Sequence, residues 1–315
     1  VECVEDGECE GGRCYDGICC FGCWDGASCR AGTAPASCGA MGGSCETCGG
    51  TSACIDGTCE PFPPAGLSLS PVSSYLRTGT VLFSAGSNDV DQRGVLVSDR
   101  ANVFTRQDTE RAFVDVAAAQ LATCGIDTSG RLFCWGLNAR GLLGIGSGAF
   151  DRQEASPQRV GHARWADVAA GNNHVCAIRR DGRAFCWGAN EEGQLGVPPA
   201  DGSASRTQPT EVEHGGTWRQ IAPGDLHTCG ITTDGELFCW GSAAGGQLGV
   251  PGAEGGYEAV RVGEASDWVR VSAGVEHTCG IRGEPAGGDL HCWGTQLGGR
   301  LGDGTTADGQ ADEPV

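Results

Sequence analysis

The feature that most constrains this chain is an internal repeat. A segment that begins with a cysteine, carries a second cysteine followed by Trp-Gly, and ends in Leu-Gly occurs four times. The second cysteine stands at positions 134, 186, 239 and 292, so the copies are 52 or 53 residues apart. Such a period is typical of propellers and solenoids, in which each unit buries its apolar face against the next. The four copies are Cys124–Gly144, Cys176–Gly196, Cys229–Gly249 and Cys279–Gly302.

Each copy predicts a β-hairpin. In one of them the residues alternate like strands over Val175–Arg179 and again over Arg183–Trp187. Between these strands lies a three-residue loop that ends in Gly182. Such a loop places its last residue in the left-handed region, which glycine adopts without strain. Gly130 and Gly235 hold the same place in two other copies, so we expect the same turn there.

The hairpins predict disulfides. If the chain folds about residue 181, Cys176 and Cys186 lie directly opposite each other. Cross-strand neighbours have Cβ atoms about 4.5–5.5 Å apart, so a modest adjustment permits a bond. Each bridge closes a short loop and is expected to add roughly 2–3 kcal/mol of stability. We predict four bridges, which join Cys124 to Cys134, Cys176 to Cys186, Cys229 to Cys239 and, across a longer loop, Cys279 to Cys292.

A fifth, degenerate copy precedes the other four, over Ser74–Leu96. Ser74 and Ser84 are ten residues apart, like Cys176 and Cys186, so this copy is predicted to carry serines in place of the cysteines. Ala85 and Gly86 stand where the other copies have Trp-Gly.

A further strand is predicted before each hairpin, for example over Trp165–Gly171 and Trp218–Gly224. Small residues close to the glycine suit the crowding near a central axis. The tryptophan after each second cysteine is predicted to fill the core between units, and an exposed platform for a ligand is the alternative. These tryptophans are Trp135, Trp187, Trp240 and Trp293.

The first 60 residues predict a separate, cross-linked module. They hold 12 of the 20 cysteines and few apolar side chains, and so small a segment needs covalent staples. Disulfides are favoured over a zinc site because the segment contains no histidine. Two similar stretches, Cys9–Cys19 and Cys48–Cys59, are interpreted as mini-hairpins. Residues 61–66 contain three prolines and are interpreted as a linker, which leaves 67–315 for the repeat domain.

The repeats resemble those of the regulator of chromosome condensation family, over about residues 67–315. The segment Ala169–Ile178, Asp181-Gly182, Trp187–Asn190 and Gly193–Gly196 carry the resemblance. It implies an all-β propeller with four-stranded blades, here about five, although members of the family usually have seven. Asp312–Val315 matches the strand start at 156–160, so we expect the C-terminal strand to complete the first blade and to close the ring.

Composition limits the cellular compartment in which the protein works and the class of partner that it binds. The net charge of −19 disfavours nucleic acid, whose binding needs clustered cations. Twenty cysteines indicate an oxidising compartment, and no apolar run of about 20 residues predicts a membrane span. We therefore expect a secreted or cell-surface protein that begins as a processed chain. Cysteine pairs in the repeats resemble those of family members in secreted proteins of high-GC bacteria.

Metal and catalytic hypotheses receive less support. His174, His227 and His277 recur two residues before a cysteine and would ring an axial metal, but a hydrogen-bonding role explains them more simply. The segments 88–94 and 303–308 carry oxygen ligands spaced for calcium, but they also fit ordinary turns. No catalytic motif is present, and we expect no cofactor and no enzymatic activity.

Three functions remain. The favoured one is a secreted, non-enzymatic protein that binds a protein partner through loops that vary while the frame repeats, such as 138–150 and 198–205. The second is a structural subunit of an extracellular filament or surface layer, formed by self-association. The third is carbohydrate binding.

Overall fold

The computed structural model describes the side chains of most of the repeat region. The described residues are 66–78, 81–94, 111–146, 151–199, 204–214, 216–283, 287–304 and 308–315, together with the backbone of short strands elsewhere.

Three two-stranded sheets lie in the N-terminal 61 residues. The first and third are the mini-hairpins predicted from the two similar stretches, with Cys14 opposite Cys19 and Cys54 opposite Cys59. Cysteine side chains in this region lie outside the described residues. The strands are β1 (Arg13–Tyr15), β2 (Ile18–Cys20), β3 (Cys23–Trp24), β4 (Cys29–Arg30), β5 (Ser52–Ile55) and β6 (Thr58–Pro61).

Five four-stranded antiparallel sheets follow, and these are the blades of the predicted propeller. Blade 1 consists of β7 (Gly66–Leu69), β8 (Ser73–Thr78), β9 (Val81–Gly86) and β10 (Ala101–Arg106). Blade 2 consists of β11 (Phe113–Ala118), β12 (Ala122–Asp127), β13 (Leu132–Leu137) and β14 (Gln153–Arg159), with a 3₁₀ turn at Ala139–Gly141. Blade 3 consists of β15 (Trp165–Ala170), β16 (His174–Arg179), β17 (Ala184–Ala189) and β18 (Ser205–Glu211). Blade 4 consists of β19 (Trp218–Pro223), β20 (His227–Thr232), β21 (Leu237–Gly241) and β22 (Gly256–Arg261), and blade 5 of β23 (Trp268–Ala273), β24 (His277–Arg282), β25 (Asp289–Gln296) and β26 (Gly309–Ala311).

The hairpin register agrees with the sequence prediction. Cys176 lies opposite Cys186, and the turn glycine Gly182 has a φ of 84°. The sulfur atoms of this pair are 2.12 Å apart. The other three predicted pairs are also at disulfide distance, namely Cys124 with Cys134, Cys229 with Cys239 and Cys279 with Cys292.

Blade 1 differs from the prediction at one position. Tyr75, not Ser74, lies opposite Ser84 and holds the first cysteine position. The hairpin of this blade is therefore one residue shorter than the ten-residue spacing implied. Tyr75 is buried, and its hydroxyl bonds Thr123 of blade 2 and the carbonyl of Gln92. An aromatic side chain thus takes the place of the sulfur pair.

Buried tryptophans and a recurring set of hydrogen bonds join consecutive blades. Trp240 of blade 4 donates its indole N–H to the carbonyl oxygen of Gln194 in blade 3, at 3.0 Å. Thr228 donates to the same carbonyl at 2.7 Å. Blade 5 repeats both bonds through Trp293 and Thr278. The prediction that these tryptophans form the core between blades is confirmed, because Trp135, Trp187, Trp240 and Trp293 are all buried.

The C-terminal strand does not complete blade 1, and this expectation was wrong. It pairs with β25 of blade 5, and Val315 exchanges two backbone hydrogen bonds with Cys292. Blade 1 supplies its own four strands because Gly66–Leu69 forms the inner strand that the sequence did not reveal. Among the described residues, no strand of blade 5 packs along blade 1 in the way that β16 packs on β19.

The strand order gives the propeller two distinct faces. The tight hairpins between the second and third strands, such as 180–183, lie on one face, which we call the hairpin face. The longer connections between the third and fourth strands lie on the opposite face, which we call the loop face. These long connections are residues 138–152, 190–204, 242–255 and 297–308 in blades 2 to 5, and 87–100 in blade 1.

Candidate binding surfaces

The long connections of blades 2, 3 and 5 begin with the same fixed turn on the loop face. In blade 3 the side chain of Asn190 accepts a hydrogen bond from the backbone N–H of Leu195, at 3.0 Å. Asn138 and Gln296 make the same bond in blades 2 and 5, at 2.8 and 3.0 Å. In blades 2 and 3 this turn presents the carbonyl that accepts the indole N–H of the next blade's tryptophan, so the start of these loops belongs to the frame.

The remainder of each loop differs between blades in length and sequence. The connection from residue 197 to 204 in blade 3 contains Pro198 and Pro199, whereas blade 4 has a Gly- and Glu-containing segment from 250 to 256. Surface loops on a rigid scaffold are where binding residues concentrate. The predicted recognition segments 138–150 and 198–205 both lie on this face, although 147–150 and 200–203 are outside the described residues.

The loop face is also acidic. Its exposed carboxylates outnumber its exposed guanidinium groups, and one of the latter, Arg140, is paired with Glu191. Among the residues of this face that the structure describes, the exposed acidic residues are Asp89, Asp151, Glu191, Glu192, Glu254, Glu276, Asp303 and Asp308, and the exposed basic residues are Arg140 and Arg152.

A β-bulge lies at the start of the inner strand in blades 2 to 5. In blade 3 the register shifts between Trp165 and Asp167, so that two residues of β15 oppose one of β16. The same shift occurs in β11, β19 and β23. Bulges redirect side chains and recur next to functional sites. The third residues of these strands are Asp115, Asp167, Gln220 and Arg270.

Two of these third residues seal the groove to the next blade. Asp115 accepts a hydrogen bond from the backbone N–H of Val168 at 3.1 Å. Gln220 accepts one from Val271 at 3.1 Å and donates another to the carbonyl of Val271 at 2.9 Å. In both grooves a side-chain oxygen meets the backbone N–H of the fourth residue in the next inner strand.

Asp167 does not repeat this bond. Its side chain is hydrogen-bonded to Asp115, and burial together with that neighbouring carboxyl raises the pKa of Asp167 to about 7. Burial also raises the pKa of Asp115, although N–H donors from Val168 and Val116 oppose the shift. The hydrogen bond between the two side chains raises the pKa of Asp167 and lowers that of Asp115, so Asp167 holds the proton of this bond.

The groove between blades 3 and 4 is open, with a cavity of about 580 Å³ on the hairpin face. Its walls include Ile178, Trp218 and Ile221, and Asp167 lies at its edge. Four arginines from three blades line it, namely Arg179, Arg180, Arg219 and Arg270.

The histidines predicted as a metal alternative have other partners. The Nε2 atoms of His174 and His227 lie 2.8 Å from the hydroxyls of Thr228 and Thr278 in the next blade. Burial lowers the pKa of both rings to about 3, so they are neutral. His277 is half-buried. The described residues contain no group of three or more His, Cys, Asp or Glu side chains arranged for a metal.

The proposed calcium loops are partly engaged by the frame. In the first, Asn88 accepts a hydrogen bond from the N–H of Arg93 at 2.9 Å, and the Gln92 carbonyl accepts one from Thr123. In the second, Asp303 accepts a hydrogen bond from Gln296 at 3.0 Å, and residues 305–307 lie outside the described chain. Calcium binding stays a prediction.

Sequence reasoning missed the third residues of the inner strands. A signal was available in the sequence. Three inner strands begin with a tryptophan, at 165, 218 and 268, and each has a polar residue two positions later. These polar residues are Asp167, Gln220 and Arg270. A polar residue within an apparently apolar strand marks a place where the side chain leaves the core.

No helix among the described residues is long and apolar enough to cross a bilayer.

Two sequence models of the regulator of chromosome condensation (RCC1) repeat match the chain. One matches residues 113–142, 165–194 and 218–247, and the other matches 129–178, 181–231 and 234–281. Together they span residues 113–281, which is more than half of the chain.

Curated relatives include large ligases. The chain is 32% identical over 213 residues to the human "Probable E3 ubiquitin-protein ligase HERC3". The aligned region covers 65% of this chain and 20% of the relative. It is 30% identical over 190 residues to human HERC6, which covers 57% of this chain and 18% of the relative. The chain thus spans about a fifth of the length of these relatives.

Solved structures share the fold. Human WBSCR16 aligns with a TM-score of 0.68 at 24% identity, over 79% of this chain and 65% of that chain. Prp20p from Saccharomyces cerevisiae aligns with a TM-score of 0.66 at 21% identity, over 79% and 62% of the two chains. Prp20p has binding properties toward Gsp1p and histones.

Proposed function

Because this chain belongs to the regulator of chromosome condensation (RCC1) repeat family, we propose that it is a secreted, non-enzymatic protein whose loop face binds a partner protein. Binding of proteins by a propeller of this fold has a precedent in Prp20p. The chain spans only a fifth of the HERC relatives, so their ligase activity is not assigned to it.

The division of each loop into a constant and a variable part carries this proposal. The Asn190–Leu195 type of turn is held by the frame, while the residues after it differ between blades in length and sequence. A frame that repeats under loops that do not repeat suits recognition of one specific surface. Repeated catalysis would instead need a repeated or convergent set of reactive groups.

The charge of the loop face indicates the chemistry of the partner. Exposed carboxylates such as Glu192, Glu254 and Glu276 dominate this face, and the whole chain has a net charge of −19. Complementary potentials steer association and suppress wrong partners. We therefore expect the partner to present a basic surface, and we expect its association rate to fall as salt is added.

Secretion is proposed from the cysteines. Four pairs lie at disulfide distance in the blades, and twelve more cysteines lie in the first 60 residues. Disulfides persist in oxidising compartments, where this number of cysteines is common. The mass of the unreduced chain tests the oxidised state, since each bridge removes two hydrogens. Free thiols at the blade pairs would contradict it.

Site-specific photo-crosslinking tests the binding face. A crosslinking residue at position 192 on the loop face should capture a partner from extracellular material, and one at position 181 on the hairpin face should not. With the crosslinking residue kept at 192, replacing Glu191 and Glu254 by Arg should abolish the captured species in low salt. Capture that is equal at both positions, or that survives the charge reversal, would exclude the loop face as the binding surface.

A second candidate is self-association into an extracellular assembly. Leu67 and Leu69 of blade 1 and Leu290 of blade 5 are 62%, 64% and 65% exposed. They lie on blades 1 and 5, whose described strands do not pack on each other, and head-to-tail contact between different surfaces produces filaments. Light scattering during size-exclusion chromatography tests this, and a monomer at high concentration excludes it.

Carbohydrate binding has less support than the other two functions. An exposed tryptophan platform for a ligand was the alternative to core packing, and the seven tryptophans in the described region are buried. These are Trp135, Trp165, Trp187, Trp218, Trp240, Trp268 and Trp293.

A further inference from the structure

The groove between blades 3 and 4 differs from its neighbours in what fills it. Between blades 2 and 3, the carboxylate of Asp115 occupies the position next to the Val168 N–H. Between blades 4 and 5, the amide of Gln220 occupies the position next to Val271. Asp167 is the equivalent residue of blade 3, and it makes no such bond to Ile221 in the described structure because its side chain turns to Asp115. The corresponding space is the cavity of about 580 Å³.

The side chains around this cavity favour an anion. Arg219 and Arg270 line it and are exposed. Arg180 lines it with its guanidinium beside Gly130 of blade 2, and Arg179 lines it and pairs with Asp181 at 3.1 Å. Asp167 is the one acidic residue that lines it. Such a group of guanidiniums is notable in a chain with 40 acidic and 21 basic residues.

The bulge of the inner strand explains why these charges meet. Arg219 is the bulged second residue of β19, and Arg270 is the third residue of β23, after the bulge of that strand. A regular strand would send neighbouring residues to opposite sides, but a bulge changes this alternation. Arg219 also donates one hydrogen bond from its guanidinium to the Trp268 carbonyl of blade 5, and both Arg219 and Arg270 line the cavity.

We propose that this groove binds a carboxylate-bearing ligand, such as an acidic peptide segment, with its carboxylate at the Ile221 N–H and beside Arg219 and Arg270. The ligand would take the place that the chain's own Asp115 takes at Val168. Guanidinium groups bind carboxylates through paired, charge-assisted hydrogen bonds, which suits this arrangement. The site lies on the hairpin face, so it stands independently of the partner proposed for the loop face.

Calorimetric titration of the full chain with triglutamate at low salt tests the site. We expect saturable binding of one peptide per chain, and binding roughly tenfold weaker or more in the double variant Arg219→Gln, Arg270→Gln. Arg183→Gln is the matched control, because Arg183 lies on the same face but pairs with Asp181 and Glu211 outside the groove. This control should bind like the wild type. Wild-type chain that binds no triglutamate, or three proteins that bind it equally, would overturn the proposal.

A second variant keeps every arginine in place. In Asp167→Gln the new amide is expected to bond Ile221 as Gln220 bonds Val271, and so to fill the groove. We expect this variant to lose triglutamate binding without a lower melting temperature. If it binds triglutamate as tightly as the wild type, the groove is not the site. Circular dichroism of each variant verifies that the fold is retained.

Discussion

The pair of Asp115 and Asp167 shows how one residue's surroundings set its protonation. The two carboxyls are close together and largely buried, so ionising both costs free energy, and the pKa of Asp167 rises to about 7. Arg270 opposes this shift, and Arg77 opposes the one on Asp115. The folded chain therefore keeps a proton that the unfolded chain releases near pH 4.

Replacement of Asp167 by Asn should remove this proton linkage. A raised folded-state pKa gives stability at low pH that is lost as pH rises from about 4 to about 7. At pH 8 we expect Asp167→Asn to be more stable than the wild type by roughly 1–3 kcal/mol, with a smaller difference at pH 4. Urea unfolding at both pH values measures this. His174 and His227 titrate in both proteins, so they cancel, and a difference that is independent of pH would contradict the assignment.

His227 and His277 occupy the same position in consecutive repeats, so the effects of replacing them can be compared directly. His227 is buried and bonds Thr278 of the next blade at 2.8 Å, whereas His277 is half-buried and, in the described part of the chain, has no sixth blade beside it. We expect His227→Ala to cost about 1–3 kcal/mol and His277→Ala less than about 0.5 kcal/mol. Chemical denaturation measures both, and equal losses would show that the contact to the next blade is not what stabilises His227.

At the scale of the element, a blade carries both halves of an interface. Its second and third strands supply a hydroxyl and an indole to the preceding blade, and the glycine-containing turn after its third strand supplies a carbonyl to the next blade. Gly249 ends such a turn in blade 4, and a Cβ there would lie 2.6 Å from Nε1 of Trp293. Gly302 ends the turn of blade 5, and a Cβ there would meet nothing within 4 Å.

Alanine substitution at these two glycines separates backbone strain from packing. Gly249 and Gly302 have φ values of 69° and 70°, so both variants pay the same left-handed penalty of about 1 kcal/mol. Gly249→Ala should cost a further 1–3 kcal/mol or so, because the indole must move. Thermal unfolding compares them. A loss in Gly302→Ala as large as that in Gly249→Ala would mean that blade 5 is covered in solution.

At the scale of the whole molecule, stability is expected to be uneven. Blades 2 to 4 are packed on both sides, while blade 5, among the described residues, is packed on blade 4 alone. In a repeat protein each unit is stabilised by its own structure and by its neighbours, so a unit with one neighbour opens first. The same blade also carries a short fourth strand, Gly309–Ala311.

Hydrogen exchange tests this gradient. Amides of β24 and β25 in blade 5 should exchange faster than those of β20 and β21 in blade 4, although both hairpins hold a cysteine pair. Mass spectrometry of peptides covering 277–296 and 227–241 gives the comparison. Equal protection would indicate that the side of blade 5 away from blade 4 is covered in solution, for example by a second copy of the chain.

The sequence alone determined what depends on local spacing. The repeat period, the turn glycines and the opposed cysteines follow from the two-residue alternation of strands, which needs no knowledge of distant residues. The sequence prediction was wrong at Ser74. The hairpin of blade 1 is one residue shorter than predicted, so Tyr75 lies opposite Ser84. A register shift of that size is decided by packing against Thr123 and Gln92, which lie in other turns and blades.

Only the tertiary structure decided how the blades meet. Three features depend on contacts between distant segments. The C-terminal strand pairs with β25, blade 1 supplies its own inner strand, and the described part of blade 5 packs on one neighbour. The groove of Asp167 is of the same kind, since Asp115, Gln220 and Arg270 hold equivalent positions in the sequence repeat and yet differ in partner. A repeat pattern specifies the unit, but the interaction between side chains of adjacent units specifies which groove closes and which stays open.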